Sequence, residues 1–174
     1  MRRVVFLPVL GVVLAGVVGC AASMPDQTTR VAADIIGGKL PAGYRDWQLI
    51  SVAHEEGPLN DLRAILGNDV AITAYREGTL PFPDGTIIAR LAWGHVSSEE
   101  NDIAFGRPQS FVAGPPQEGV QFMIKDSKKF ASTGGWGFAQ FVDGWPVAEA
   151  ALKGCFSCHE PAKDRDLIFT RYAL

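Results

Sequence analysis

Residues 155–159, with the sequence CFSCH, concentrate two thiols and an imidazole in one short segment. On a helical turn, Cys155 and Cys158 are three residues apart and share a face, where they can reach two substituents of one planar group. His159 follows directly and can turn its ring onto a metal at the centre of that group. This spacing is typical of c-type haem attachment. We therefore predict one covalent haem c, bound through Cys155 and Cys158, with His159 as the iron ligand.

Two other chemistries use a Cys-x-x-Cys pair. A thioredoxin-like dithiol would lie near a βαβ pattern, which the flanking sequence lacks, and it does not require the following His. A zinc site needs four ligands, but the sequence offers no second pair of Cys or His, and His54 and His95 stand alone. Both alternatives stay open, although the pentad favours haem. His54 and His95 fall at predicted strand ends, where a solvated or hydrogen-bonded imidazole is expected rather than an iron ligand.

The N-terminus has the features of an export signal. Two arginines follow the initial Met, and the apolar run at residues 4–18 is too short and too interrupted by glycine to span a bilayer comfortably. It ends in VVGC at residues 17–20, which resembles a bacterial lipoprotein signal in which Cys20 is lipidated. The alternative is an ordinary signal cleaved near residues 21–23. We expect the mature protein on the periplasmic side of a bacterial membrane, anchored only by lipid, or else soluble in the periplasm.

The remainder has the length of one domain. The 174 residues carry a formal net charge of −3 with acidic and basic residues interspersed, so nucleic acid is not an expected partner. With Cys20 assigned to the lipid or the signal and two cysteines to haem, no cysteine is left for a disulfide. We divide the chain into a lipoprotein-type signal peptide at residues 1–20, a tether at 21–43 and a haem-binding domain at 44–174.

The elements that position the pentad follow from apolar periodicity and turn residues. Strands are predicted at residues 47–54, 62–66, 86–93, 120–125, 136–142 and 166–172, and helices at residues 69–76, 126–131 and 147–153. Asp69 is the expected N-cap of the first helix and Gly78 its stop, while Pro146 begins the last helix, which delivers the pentad. Residues 99–119 are expected to be irregular. Strands in series with short helices predict an α+β domain, built on a mostly antiparallel sheet with the haem on a C-terminal helix.

The predicted strand 120–125 alternates in polarity, with an apolar face that indicates a half-buried strand. Met123 lies on the other face with Gln121 and Lys125. We therefore expect Met123 at the surface or at a sheet edge, rather than as a sixth iron ligand.

Five motifs occur in a characteristic order along the domain. They are PFPDGT (residues 81–86), KDSKKFA (125–131), GWGFAQF (135–141), CFSCHEPAKDRD (155–166) and FTRY (169–172). From about Tyr44 to the C-terminus the chain resembles the cytochrome P-460 family, which includes the gas-binding cytochromes c-prime of the beta type. The resemblance implies a mostly β haem protein, often dimeric, with His159 proximal and the distal side of the iron open. Some members oxidise hydroxylamine, and others bind nitric oxide or carbon monoxide.

Arg90 is a departure from the enzymatic members of that family. In those members a Lys in the strand after the Asp-Gly-Thr turn is bonded to the porphyrin, and the matching position, four residues beyond Thr86, is Arg90. A guanidinium stays protonated and cannot replace the amine. Arg90 also interrupts an apolar strand, so its charge needs a partner, either a haem propionate or water at a sheet edge. Arg171, in the last motif, is expected either near the haem or in a surface ion pair.

Two functions are compatible with these features. The first is an exported mono-haem protein with five-coordinate iron, which binds a small diatomic ligand such as nitric oxide or carbon monoxide, or exchanges electrons with a redox partner. The second is a haem oxidoreductase that acts on hydroxylamine or a related nitrogen compound. Arg90 in the cross-linking position favours the first function and leaves enzymatic activity undecided. A homodimer is implied by the resemblance alone.

Overall fold

The computed structural model describes residue 32 and residues 34–173. The predicted signal peptide, the predicted lipidation site Cys20 and the first part of the predicted tether lie outside the described residues. Within the described part, no helix is long and apolar enough to cross a membrane.

Six strands form one sheet, in which each strand pairs antiparallel with the next along the chain. The strands are β1 (Gln48–Glu55), β2 (Asp61–Gly67), β3 (Ile87–Ser97), β4 (Phe111–Lys125), β5 (Trp136–Val142) and β6 (Trp145–Pro146). Among residues 44–173 the helices are α1 (Asp69–Glu77), α2 (Glu99–Phe105) and α3 (Glu149–His159), with 3-10 turns at Tyr44–Asp46, Ala131–Thr133 and Glu160–Arg165. The predicted α+β class is confirmed, and α3 is the C-terminal helix that contains the pentad.

Both faces of the sheet are covered. One face, here called the C-terminal face, packs against α1 and the chain end, in a core that includes Ile50, Ile65, Ile72, Ile88, Met123, Trp136, Leu167 and Ile168. The opposite face packs against residues that precede β1, in a core that includes Ile35, Leu66, Ile87, Leu91, Phe122, Ile124 and Phe141. The half-buried character predicted for strand 120–125 is therefore wrong, because its two faces contribute to two cores.

The segment at residues 99–119, predicted to be irregular, instead forms α2 and the first part of β4. Pro115 and Pro116 obscured this strand in the sequence, since proline cannot donate to a ladder. They are tolerated because this part of β4 pairs only with β3, and the ladder to β5 begins at Val120. Glu118 and Gly119, both with positive φ, bend β4 between its two parts.

The predicted C-terminal strand at residues 166–172 is wrong. Asp166 and Leu167 have φ values of 52° and 66°, so the chain reverses there in the left-handed region instead of extending. The residues that follow form no ladder with the sheet, although the Ala173 amide donates to the Ile50 carbonyl over 3.0 Å.

Three helix predictions need correction. Pro146 does not begin a helix but pairs with Phe141 as part of β6, and α3 starts at Glu149 and continues to His159. Residues 126–131 form turns that lead into a 3-10 turn, not a helix. The N-cap of α1 is Asn68 rather than Asp69, because its side chain accepts from the Ala71 amide over 3.0 Å, whereas Gly78 ends the helix as predicted.

Candidate haem site

A cavity of about 560 Å³ lies against the C-terminal face of the sheet, with α3 and the chain end forming its other walls. Its volume is within the range of small-molecule and cofactor sites, ~300–1,000 Å³. The structure brings four of the predicted site residues to this cavity, namely Arg90, Cys155, Cys158 and His159. The pentad therefore lines a half-open cavity rather than facing bulk solvent alone.

The two thiols share this cavity, as expected for positions three residues apart on a helix. Both are free, with Cys155 half-buried and Cys158 exposed. Burial, with a smaller contribution from the neighbouring Cys158, raises the pKa of the Cys155 thiol above its usual value. Neither thiol is used in a disulfide, so both are available to bond one planar group from the same side.

The imidazole of His159 is fixed by a backbone carbonyl. Its Nδ1 lies 2.7 Å from the oxygen of Leu167. A carbonyl can only accept, so Nδ1 carries the proton and Nε2 is left with the lone pair for a metal. The ring also lies near Phe138 and Phe169, at centroid distances of 5.5 and 5.2 Å. This is the outer-shell arrangement by which proteins orient a metal-binding histidine.

Arg90 does not lie at a sheet edge. It is in β3, between β2 and β4, with a side chain 15% exposed, so the edge-strand alternative is wrong. Its Nη2 lies 2.5 Å from Oδ2 of Asp61, and its Nη1 donates to Oε1 of Gln121 over 3.0 Å. In addition, Oε2 of Glu118, at the bend in β4, lies 3.3 Å from Nη1 of Arg90. The charge is therefore met by Asp61, and contact with a propionate stays a prediction.

Arg63 is a cavity residue that the sequence analysis missed. Its guanidinium donates two hydrogen bonds to the carboxylate of Asp61, one of 2.9 Å from Nε and one of 3.0 Å from Nη2. Asp61 is 1% exposed and is shared by Arg63 and Arg90. The available signal was the spacing of Asp61 and Arg63, which puts both side chains on one face of a strand. We call Arg63 and Arg90, which share the buried carboxylate of Asp61, the polar end of the cavity.

The neighbouring part of the cavity wall, on the same face of the sheet, is apolar. Ile88, Met123 and Phe138 are successive partners across β3, β4 and β5, and all three line the cavity. We call them the apolar row. The surface position predicted for Met123 is wrong, since it is only 9% exposed. Its polar strand neighbours misled the prediction because they are paired within the protein, Gln121 with Arg90 and Lys125 with Asp166.

The remaining candidates divide between the cavity and the surface. Arg171 lines the cavity and is exposed. His54 and His95 do not line it; their rings stack at 4.0 Å, and His95 also stacks on Phe111 at 4.2 Å. The structure therefore does not bring either histidine to the pentad.

The residues fit a c-type haem. Two free thiols on one helix face, an imidazole with its Nδ1 proton engaged, an apolar wall and the polar end with its two arginines surround one cavity. A sheet protein with this site on a C-terminal helix has the features of a c-type haem protein. The family model for cytochrome P460 matches residues 41–170, so the chain belongs to the cytochrome P460 family, and the resemblance seen in the motifs is confirmed. No curated protein matches the chain.

Proposed function

We propose that the protein is an exported mono-haem protein whose five-coordinate iron binds small neutral ligands such as nitric oxide or carbon monoxide. The observation that carries this proposal is that His159, with its Nδ1 bound to the Leu167 carbonyl, lines the same cavity as both thiols. When bound, the haem supplies an iron atom that takes up a diatomic ligand or an electron. The chain supplies attachment, orientation and the surroundings of that iron.

Each part of the cavity has a role in holding the group. Cys155 and Cys158 would form the two thioether bonds, and His159 would ligate the iron.

Arg63 and Arg90 would face the propionates. Asp61 is buried and fixed between these two arginines, whereas Glu55 and Glu118 have half-exposed side chains that can turn into water and leave guanidinium N–H groups for another anion.

The apolar row favours some ligands over others. The side chains of Ile88, Met123 and Phe138 carry no N–H or O–H donor. Bound oxygen gains most from a hydrogen-bond donor, whereas carbon monoxide and nitric oxide depend on one much less. If these side chains face the ligand side of the iron, the wall favours carbon monoxide and nitric oxide.

Visible spectra of the reduced protein test this proposal. We expect a high-spin, five-coordinate ferrous haem that takes up carbon monoxide without first losing an internal ligand. The matched variant is Met123→Leu, which keeps an apolar side chain in the cavity but removes the thioether sulfur. It should have the same ferrous spectrum as the wild type. A low-spin, six-coordinate ferrous wild type that becomes high-spin in Met123→Leu would show that the protein is an electron carrier with Met123 as the sixth ligand.

The second candidate function is oxidation of hydroxylamine or a related nitrogen compound, and the identity of residue 90 bears on it. Because Arg90 is held by Asp61, Gln121 and Glu118 and has no nucleophilic amine, we expect only the two thioether bonds to the haem. The pyridine haemochrome should be that of ordinary c-type haem, and turnover of hydroxylamine should be negligible. The informative variant is Arg90→Lys, with Arg63→Lys as its matched control on the neighbouring strand. A wild-type haem peptide linked at a third residue would contradict this expectation.

We also propose a location and partners for the protein. Support for a periplasmic, lipid-anchored protein comes from the basic, apolar and VVGC pattern of residues 1–20. Covalent attachment of c-type haem takes place outside the cytoplasm, which agrees with that location. The partner would be a small diatomic ligand or a redox protein. The family resemblance also implies that the protein forms a homodimer.

A further inference from the structure

A buried ion pair lies beside the apolar row, in contact with neither thiol. Lys125 Nζ lies 2.7 Å from Oδ1 and 2.8 Å from Oδ2 of Asp166. The two side chains are 6% and 12% exposed. Taking two charges out of water is costly unless both are fully paired, so a pair in this position calls for an explanation.

The ion pair connects four segments of the chain. Lys125, at the end of β4, also donates to the carbonyl of Gly134 over 3.0 Å and lies 5.0 Å above the ring of Trp136. Asp166 also accepts from the Phe82 amide over 2.9 Å. The carboxylate is thereby fixed to the loop before β3 and to the end of β4.

Asp166 begins the turn that holds the iron ligand. Asp166 and Leu167 have φ values of 52° and 66°, a left-handed conformation that is unfavourable for two successive residues other than glycine. Such a conformation persists only where surrounding contacts determine it. The turn directs the Leu167 carbonyl to Nδ1 of His159 at 2.7 Å. We call Asp166 and Leu167 the proximal turn.

We propose that Lys125 and Asp166 are positioning residues for the iron ligand, because their ion pair fixes the proximal turn and, through the Leu167 carbonyl, the orientation and basicity of His159. The inference rests on the proposed role of His159 as iron ligand. A hydrogen bond from Nδ1 to a carbonyl makes the imidazole a stronger donor to the metal. Loosening the turn should therefore weaken the iron–histidine bond without touching it directly.

Three variants test the proposal in the haem-loaded protein: Lys125→Met, Asp166→Ala and the two combined. The control is Asp164→Ala, the same substitution at an exposed position two residues away. The measurements are the iron–histidine stretching band of the ferrous protein by resonance Raman spectroscopy and the reduction potential. Circular dichroism shows whether each variant is folded.

If the pair positions the ligand, all three variants should shift the stretching band to lower frequency and raise the reduction potential. Asp164→Ala should change none of these values.

A purely electrostatic effect gives a different pattern and would overturn the proposal. Loss of the positive charge in Lys125→Met would then lower the potential, loss of the negative charge in Asp166→Ala would raise it, and the double variant would restore it, with the stretching band unchanged throughout. Because a single variant leaves one buried charge unpaired and can fail to fold, the double variant, which removes both charges, decides the matter. Failure of the proposed function would be visible separately, since the wild type itself would then lack an iron–histidine band.

Discussion

Replacing Cys155 and Cys158 together with alanine should abolish covalently bound haem. Both thiols are free and face one cavity, and no other described cysteine is available to replace them. Protein matured in an export-competent host should retain its haem through acid-acetone extraction in the wild type and lose all of it in the double variant. The intact mass of the wild type should exceed that of the polypeptide by one haem, whereas the double variant should have the mass of the polypeptide alone.

The matched control lies between the two cysteines. Ser157→Ala changes an exposed side chain that bonds only back to the Gly154 carbonyl, so haem retention should be unaffected. Complete extraction of haem from the wild type would refute covalent attachment. Retention of haem in the double variant would place the attachment elsewhere in the chain.

Replacing His159 with glycine should leave the haem attached but remove its protein ligand. The two thioether bonds do not depend on the imidazole, whereas the iron coordination does. We expect the iron–histidine stretching band to disappear completely, and imidazole added to the solution to restore a similar band by occupying the space left by the side chain. This variant separates the attachment of the haem from the coordination of its iron.

Two histidines serve as controls for that experiment. His54→Ala and His95→Ala remove imidazoles that stack on each other outside the cavity, so both variants should keep the wild-type spectrum. A His159→Gly protein with an unchanged spectrum would show that another residue ligates the iron. A spectrum altered by either control would identify that residue.

The cavity has a graded polarity that follows from strand register. The apolar row lies across β3, β4 and β5 at Ile88, Met123 and Phe138. Two residues further along β3, Arg90 pairs with Gln121, and its guanidinium bonds the amide side chain of that partner. Because the side-chain period of a strand is two, both rows face the same side of the sheet. A planar group with an apolar edge and a carboxylate edge matches this gradient.

The sequence by itself indicated the haem chemistry and most of the general architecture. The pentad predicts the attachment site because its thiols and imidazole are contiguous, so their proximity needs no tertiary structure. Most of the strands and the first helix were also predictable, since Gly78 and the β-prone runs signal them locally. The order of the motifs also indicated the cytochrome P460 family, whose model matches residues 41–170.

Tertiary structure alone decided which polar residues are buried and what they do. In strand 120–125, alternation predicted a solvated face for Met123 and Lys125, but the chain end covers that face, and Lys125 is neutralised by Asp166, 41 residues away. The partner of Arg90 is likewise Asp61 on the adjacent strand, although the residue directly opposite Arg90 in the ladder is Ile65. The left-handed turn at Asp166 and Leu167 has no glycine to signal it, because distant contacts rather than local preference stabilise it. His159 is hydrogen bonded to that turn, so the sequence predicted the ligand, whereas this contact of its ring follows only from the folded chain.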